Sequence, residues 1–162
     1  MKKVLLTALF LAMGFCAFAS PYVGVNQGLG AASLELGYLT SSFEENISVG
    51  VPSLMAMDTY DANFYKTIVV GADIFFRFRP LGFLVLGIGP TFRAGFEIKG
   101  ASTIMVGPAV QLSLELPNQM NILYLEVSYI PDAMKLDFGT PSNDLLGKAT
   151  DQILRFGWRH AF

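Results

Sequence analysis

Beyond its first twenty residues this 162-residue chain has no cysteine; the one it contains, Cys16, lies in an apolar N-terminal stretch. Without thiols the remainder holds no disulfide, iron–sulfur cluster or thiolate zinc site. Charge is also scarce. Asp, Glu, Lys and Arg make up 15% of the residues, well below the usual ~25%, which argues against disorder and against an ordinary water-facing surface. There is no basic excess, with 11 Lys and Arg against 13 Asp and Glu, so the electrostatic footprint of a nucleic-acid binder is missing. A single histidine, His160, leaves too few soft ligands for a transition-metal site. After Ala19 no window offers ~18 consecutive apolar residues, which excludes a helical membrane span. Hydrophobic residues, by contrast, are plentiful at 52%, with 16 glycines, 14 phenylalanines, 6 tyrosines and a mean hydropathy of +0.48. Such a composition fits a membrane protein or an unusually apolar secreted one, and the length fits a single domain.

The N-terminus reads as a targeting segment. Met1-Lys2-Lys3 is a short positive start, Val4 to Ala19 carries no charge, and Ala17-Phe18-Ala19 has the small-x-small form of a signal-peptidase site. The alternative, an uncleaved anchor, is opposed by the run's length, which falls short of the ~20 residues of a spanning helix. The expected division is therefore a signal peptide, 1–19, and one mature domain, 20–162. Phe15 precedes Cys16 where a lipoprotein signal wants a small residue, so lipid attachment is not expected.

The mature chain repeats with period two. From Thr103 to Pro117 the even positions are Ile104, Val106, Pro108, Val110, Leu112, Leu114 and Leu116, while the odd ones include Gly107, Gln111, Ser113 and Glu115. Strict alternation is the mark of a strand with one apolar and one polar face. The same pattern gives eight segments: 22–29, 32–39, 45–51, 67–79, 83–97, 103–117, 122–130 and 151–162. Phe75 breaks the alternation of the fourth. Opposite the apolar stripes fall Glu35, Asp73, Arg77, Arg79, Arg93, Glu97, Glu115, Glu126, Arg155 and Arg159, five acids and five arginines. In a soluble barrel those charges would face water and the apolar stripe would be the core. In a transmembrane barrel the faces reverse. Glycines and small polar residues share the charged face, as a narrow interior requires, and the balanced signs suit a filled lumen in which buried charges must pair. The fold expected is an all-β, eight-stranded antiparallel up-and-down transmembrane β-barrel.

Connections bear on the same question. Outer-membrane barrels join strands by short periplasmic turns and longer external loops. A periplasmic start for segment one makes Thr40–Glu44, Pro80–Gly82 and Pro117–Asn121 the periplasmic turns. The external loops are then 30–31, 52–66, 98–100 and 131–150, and both long loops fall on the outer side.

The C-terminal run Ile153-Leu154-Arg155-Phe156-Gly157-Trp158-Arg159-His160-Ala161-Phe162 resembles the terminal strand of bacterial outer-membrane β-barrel proteins, in which a final aromatic follows alternating apolar positions. Leu154, Phe156, Trp158 and Phe162 carry that resemblance, and His160 stands where Tyr is more usual. The whole mature chain is similar in architecture to the small eight-stranded group typified by OmpX, OmpW and the OmpA barrel. The resemblance implies an integral outer-membrane location, recognition by the barrel-assembly machinery and periplasmic chaperones, contact with lipopolysaccharide and outer-membrane lipids, and a monomeric state.

Chemistry is sparse. His160 falls on the lipid face by parity, so a lipid-modifying enzyme that relies on histidine is not expected. Glu115 and Glu126 are neighbours suited to acid–base work in principle, but arginines around them point to structural ion pairs. Gly87-Ile88-Gly89 lies inside a strand with no following helix, which removes the phosphate-binding reading. No catalytic residue, metal or cofactor is expected. The loop 52–66 carries Leu54, Met55, Met57, Tyr60, Phe64 and Tyr65, and 131–150 carries Asp132, Asp137 and Asp144; these are the expected sites of surface contact. Tyr38, Phe83, Tyr129, Trp158 and Phe162 are candidates for interfacial girdles. Three readings follow: a non-enzymatic outer-membrane barrel with a filled lumen, a small transporter of apolar molecules, and a soluble periplasmic barrel binding lipid inside, which requires water-exposed Arg155 and Arg159.

Overall fold

The computed structural model describes residues 19–56, 66–98, 100–116, 120–141 and 144–162. The expected signal segment lies outside them apart from Ala19, as do 57–65 of the first long loop. The described chain forms β1 (Ser20–Gly28), β2 (Ala31–Leu39), β3 (Phe43–Pro52), β4 (Thr67–Leu81), β5 (Leu84–Glu97), β6 (Ser102–Glu115), β7 (Asn121–Ser128), β8 (Lys135–Phe138), α1 (Leu145–Thr150) and β9 (Leu154–Ala161). All pairings are antiparallel. Each strand pairs with its sequence neighbours from β1 through β7, β9 pairs with both β7 and β1, and the ring closes. Short β8 lies beside the upper part of β6, where β7 has ended, so β7 and β8 share one of eight wall positions. The molecule is a closed eight-stranded up-and-down barrel.

The ladders set its dimensions. One hydrogen-bonded row runs Gly24, Glu35, Ser48, Gly71 from β1 to β4. Another runs the other way round through Gly28, Arg155, Glu126, Gln111, Gly87 and Arg77. The rows leave β1 four residues apart and reach β4 six residues apart in the opposite sense, so a full circuit is displaced by ten residues. With eight positions such a stagger tilts strands by roughly 35–45° and leaves an interior that side chains can fill.

Alternation places large apolar side chains outside. Val25, Leu34, Leu36, Ile47, Val49, Phe76, Val110, Leu125 and Phe156 are all exposed, Leu34 at 64% and Ile47 at 60%. Arg93, Arg155 and Arg159 are buried at 1%, 1% and 0%. The barrel is inverted relative to a soluble one, and the soluble lipid-binding reading, which requires both Arg155 and Arg159 in water, is overturned. Water does not tolerate an apolar surface that wraps the whole molecule. Hydrocarbon does, provided every backbone group is paired within a closed ladder.

Most strand ends lie within two residues of the sequence reading, and three departures from it shape the interior and the open end. The turn expected at 40–44 ends at Ser42, because the Thr40 hydroxyl accepts the Phe43 amide at 2.9 Å and the chain enters β3 at once. The final strand begins at Leu154 rather than 151. The stretch 131–150, expected as a free external loop, folds largely back onto the barrel. A single 3-10 turn (Asp132–Met134) leads into β8, Gly139 turns the chain with φ 76°, and α1 buries Leu145, Leu146, Ala149 and Thr150 at the open end.

Candidate functional site: the ionic lumen

Each inward position is fixed by strand parity, so the lumen is built two residues at a time from all eight wall positions. Its upper ionic cluster joins β4, β5, β7 and β9. Arg93 reaches Asp73 at 2.7 Å and Glu126 at 3.1 Å, while Arg155 reaches Asp73 at 2.7 Å and Glu126 at 2.5 Å. Two guanidiniums thus alternate with two carboxylates in a ring. Thr91 adds a hydroxyl donor to Asp73 at 2.6 Å. All four charged groups are buried, so each depends on its opposite neighbours to offset the loss of hydration.

The lower cluster is larger. Arg159 binds Glu35 at 2.9 Å and Glu44 at 2.6 Å. Arg77 lies 3.6 Å from Glu44 and bonds Glu115 at 2.6 Å, and Arg79 bonds the other oxygen of Glu115 at 2.6 Å. Tyr124 covers the Arg159 guanidinium at 3.8 Å from its ring centre and Tyr22 flanks it at 5.0 Å. The Tyr124 hydroxyl and the Asn26 amide both donate to Glu35, at 2.5 and 2.7 Å. A charge held between aromatic faces gains cation–π attraction that is strengthened by desolvation. Close packing demands glycine in places. A Cβ on Gly157 would stand 2.5 Å from the Tyr124 ring, and one on Gly37 would stand 2.6 Å from that of Tyr22.

The structure brings together nine of the ten charged residues read from sequence; of these, Arg79 is half-exposed at the rim. Glu97 sits instead at the opposite rim, half-buried, at the end of β5. Glu44 takes its place as the fifth buried acid. Its omission is a boundary error: a residue assigned to a turn has no face, and only the early start of β3 gives Glu44 its inward parity. Tyr22, Tyr124, Asn26, Thr91 and Gln111 add to the polar lining. Their parity was visible in the sequence, but no formal charge drew attention to them. Phe75, the break in alternation, points inward and is fully buried.

On the outer wall His160 meets Phe162 edge to face and Trp158 at a tilt, with ring centres 5.2 and 6.0 Å away. Its Nδ1 and the Trp158 indole N–H both meet the Asn121 side-chain oxygen, at 3.1 and 3.2 Å. The position lies on the outer wall at the end of the barrel where β1 begins and β9 ends. Tyr38, Phe83, Tyr129, Trp158 and Phe162 are all exposed on the exterior. Leu154 is half-buried at the start of β9, and Phe156 is exposed. Among the described residues no group of three or more His, Cys, Asp or Glu is arranged to hold a metal ion.

Each of the five buried carboxylates is held by at least one guanidinium. No family model and no curated protein matches the chain. Among solved structures it aligns with a major outer membrane protein from Thermus thermophilus, at 14% identity and a TM-score of 0.38, over 89% of this chain and 99% of that one.

Proposed function

We propose that this chain is a non-enzymatic integral outer-membrane β-barrel protein with a side-chain-filled lumen, and that its role is structural or one of surface contact through 52–66 and 131–150. The observation that carries the reading is the inversion of faces. Apolar side chains clothe the exterior on every wall position while five acids and five arginines line or cap the interior. A closed ladder of strands is one of only two ways a backbone crosses hydrocarbon, and eight strands suffice to do so. Its partners in this reading are outer-membrane lipids, lipopolysaccharide on the outer leaflet, and the assembly machinery and chaperones that receive the exported chain. The lumen binds itself rather than a cofactor, and the molecule is a monomer.

Refolding into detergent and liposomes tests this. A folded barrel migrates differently in SDS before and after boiling, floats with liposomes through a density gradient, and resists carbonate extraction. A chain that stays soluble and monomeric without detergent overturns the reading.

A further inference from the structure

Among the described strands one acid breaks the apolar exterior. Glu45, the third residue of β3, shares its parity with Ile47, Val49 and Val51, which are all exposed on the outer wall. Every other Asp, Glu, Lys or Arg of these strands falls on the inward parity. Glu45 is half-buried, with Tyr38 as its direct partner on β2 and Ile74 on β4. Neither its carboxylate nor the Tyr38 hydroxyl meets a polar partner among the described residues. An ionisable group on a hydrocarbon-facing wall is costly, less so toward the interface. Glu45 lies toward the end of the barrel that carries outward Tyr38, Trp158 and Phe162, the aromatic level that marks a headgroup boundary.

From Glu45 an apolar track runs away along the wall. Leu36, Ile47, Ala72 and Ile74 line, with Tyr38 and Glu45, a groove of about 480 Å³ whose floor is set by the small Ala72 side chain. A second groove of about 570 Å³ continues on the same strands past Leu34, Val49, Val51 and Ile68. Both volumes fall within the ~300–1,000 Å³ of small-molecule sites. From Glu45 to Val51 the track covers roughly 20 Å of strand at ~3.3 Å per residue. A tilt of about 40° turns that into roughly 15 Å of depth, half of a ~30 Å hydrocarbon core. We propose that the outer face of β2, β3 and β4 holds one amine-headed phospholipid, its ammonium on the Glu45 carboxylate and one acyl chain along the track over Ala72. An ammonium with N–H groups gives the carboxylate short charge-assisted hydrogen bonds, and Tyr38 offers the lipid phosphate a hydroxyl donor. A quaternary headgroup has no N–H to give, and an anionic one without an amine is repelled.

This proposal rests on the membrane reading above, so the boiling-dependent shift and flotation with liposomes are read on the same preparations. A folded, membrane-bound barrel without a lipid preference then overturns this proposal and leaves that reading standing. Native mass spectrometry of the detergent-folded barrel counts the lipid retained after mixing with palmitoyl-oleoyl phosphatidylethanolamine, phosphatidylcholine or phosphatidylglycerol. The expected result is retention of one phosphatidylethanolamine at about fivefold or more above either of the others, a preference of the size a single interfacial charge contact supplies. Glu45→Gln should abolish the preference, and so should Ala72→Phe, which fills the groove. Asp132→Asn, at an acid 97% exposed and outside the groove, should leave it unchanged. Equal retention of the three lipids overturns the proposal, and so does a preference that survives Glu45→Gln, which places the lipid elsewhere. A dimer that Ala72→Phe dissociates assigns this face to a second copy of the chain and overturns it too.

Discussion

Arg155→Met isolates what the upper ring of charges contributes. Arg155 Nη2 touches Asp73 at 2.7 Å and Glu126 at 2.5 Å, and its Nε adds a bond to Glu126 at 3.2 Å. Without it two buried carboxylates share Arg93 alone. Asp73 keeps Arg93 at 2.7 Å and the Thr91 hydroxyl, whereas Glu126 keeps only the longer 3.1 Å contact. Leaving a buried charge unpaired costs about 3–5 kcal/mol, and Glu126 is the group that bears it. Arg155→Met should therefore destabilise the barrel by about 3–5 kcal/mol, and Glu126→Gln in the same chain should restore about 2 kcal/mol of that, a coupling within the range usual for contacting groups. The sign is the sharp part: the double variant is more stable than Arg155→Met although it has lost one more native interaction. Urea unfolding of the detergent-folded barrel, followed through Trp158, the one tryptophan of the chain, measures all four members of the cycle. If the two losses simply add, the ring is not electrostatically coupled and the lumen's charges are independent of one another.

The remaining expectations probe the wall, the packing and the rim. Leu125→Arg, on an outward position exposed at 44%, should cost about 2–4 kcal/mol in a bilayer if it falls near the midplane; a barrel meant for water would be indifferent, and folding titrations in liposomes decide. Gly157→Ala drives a Cβ to 2.5 Å from the Tyr124 ring and 2.7 Å from the Val25 carbonyl, while Gly82→Ala meets nothing within 4 Å. The first should lower stability by about 1–3 kcal/mol and the second by less than about 0.5 kcal/mol, read as unfolding midpoints in denaturant. Arg79→Ala removes a half-exposed partner of Glu115 and should cost under about 1 kcal/mol, whereas Arg77→Met removes the buried partner of Glu115 and the longer of two contacts to Glu44, leaving them Arg79 and Arg159, and should cost more than Arg79→Ala by the same assay. A Gly95→Cys, Thr150→Cys pair in the Cys16→Ser background should form a disulfide on oxidation. The Thr150 Cβ lies 3.4 Å from a Cβ built on Gly95, close to the ~3.8 Å usual for bridged cysteines, and a gel-mobility difference on reduction reads it.

Period-two alternation and the one-sidedness of charge were legible in the chain itself. They determined the strand count, the direction in which Arg93, Glu126, Arg155 and Arg159 point, and the segregation of apolar from ionic surface, because side-chain direction in a strand depends on parity alone. Boundaries were not determined in this way. Glu44 belongs to the lumen only because β3 starts at Phe43, and that start is fixed by pairing with β2 and β4 and by a turn bond from Thr40. The folding of 131–150 was equally hidden. β8 is four residues long and exists by pairing with the upper part of β6, and α1 is six residues long and exists by filling the mouth. Neither carries enough local pattern to specify itself. Tertiary structure alone decided which acid meets which arginine: the ten-residue stagger brings Asp73 to Arg155, 82 positions away in sequence, and no local rule spans that distance. The sequence by itself decided which side of the eight longer strands faces inward, and closure of the ring decided what each inward group would find there.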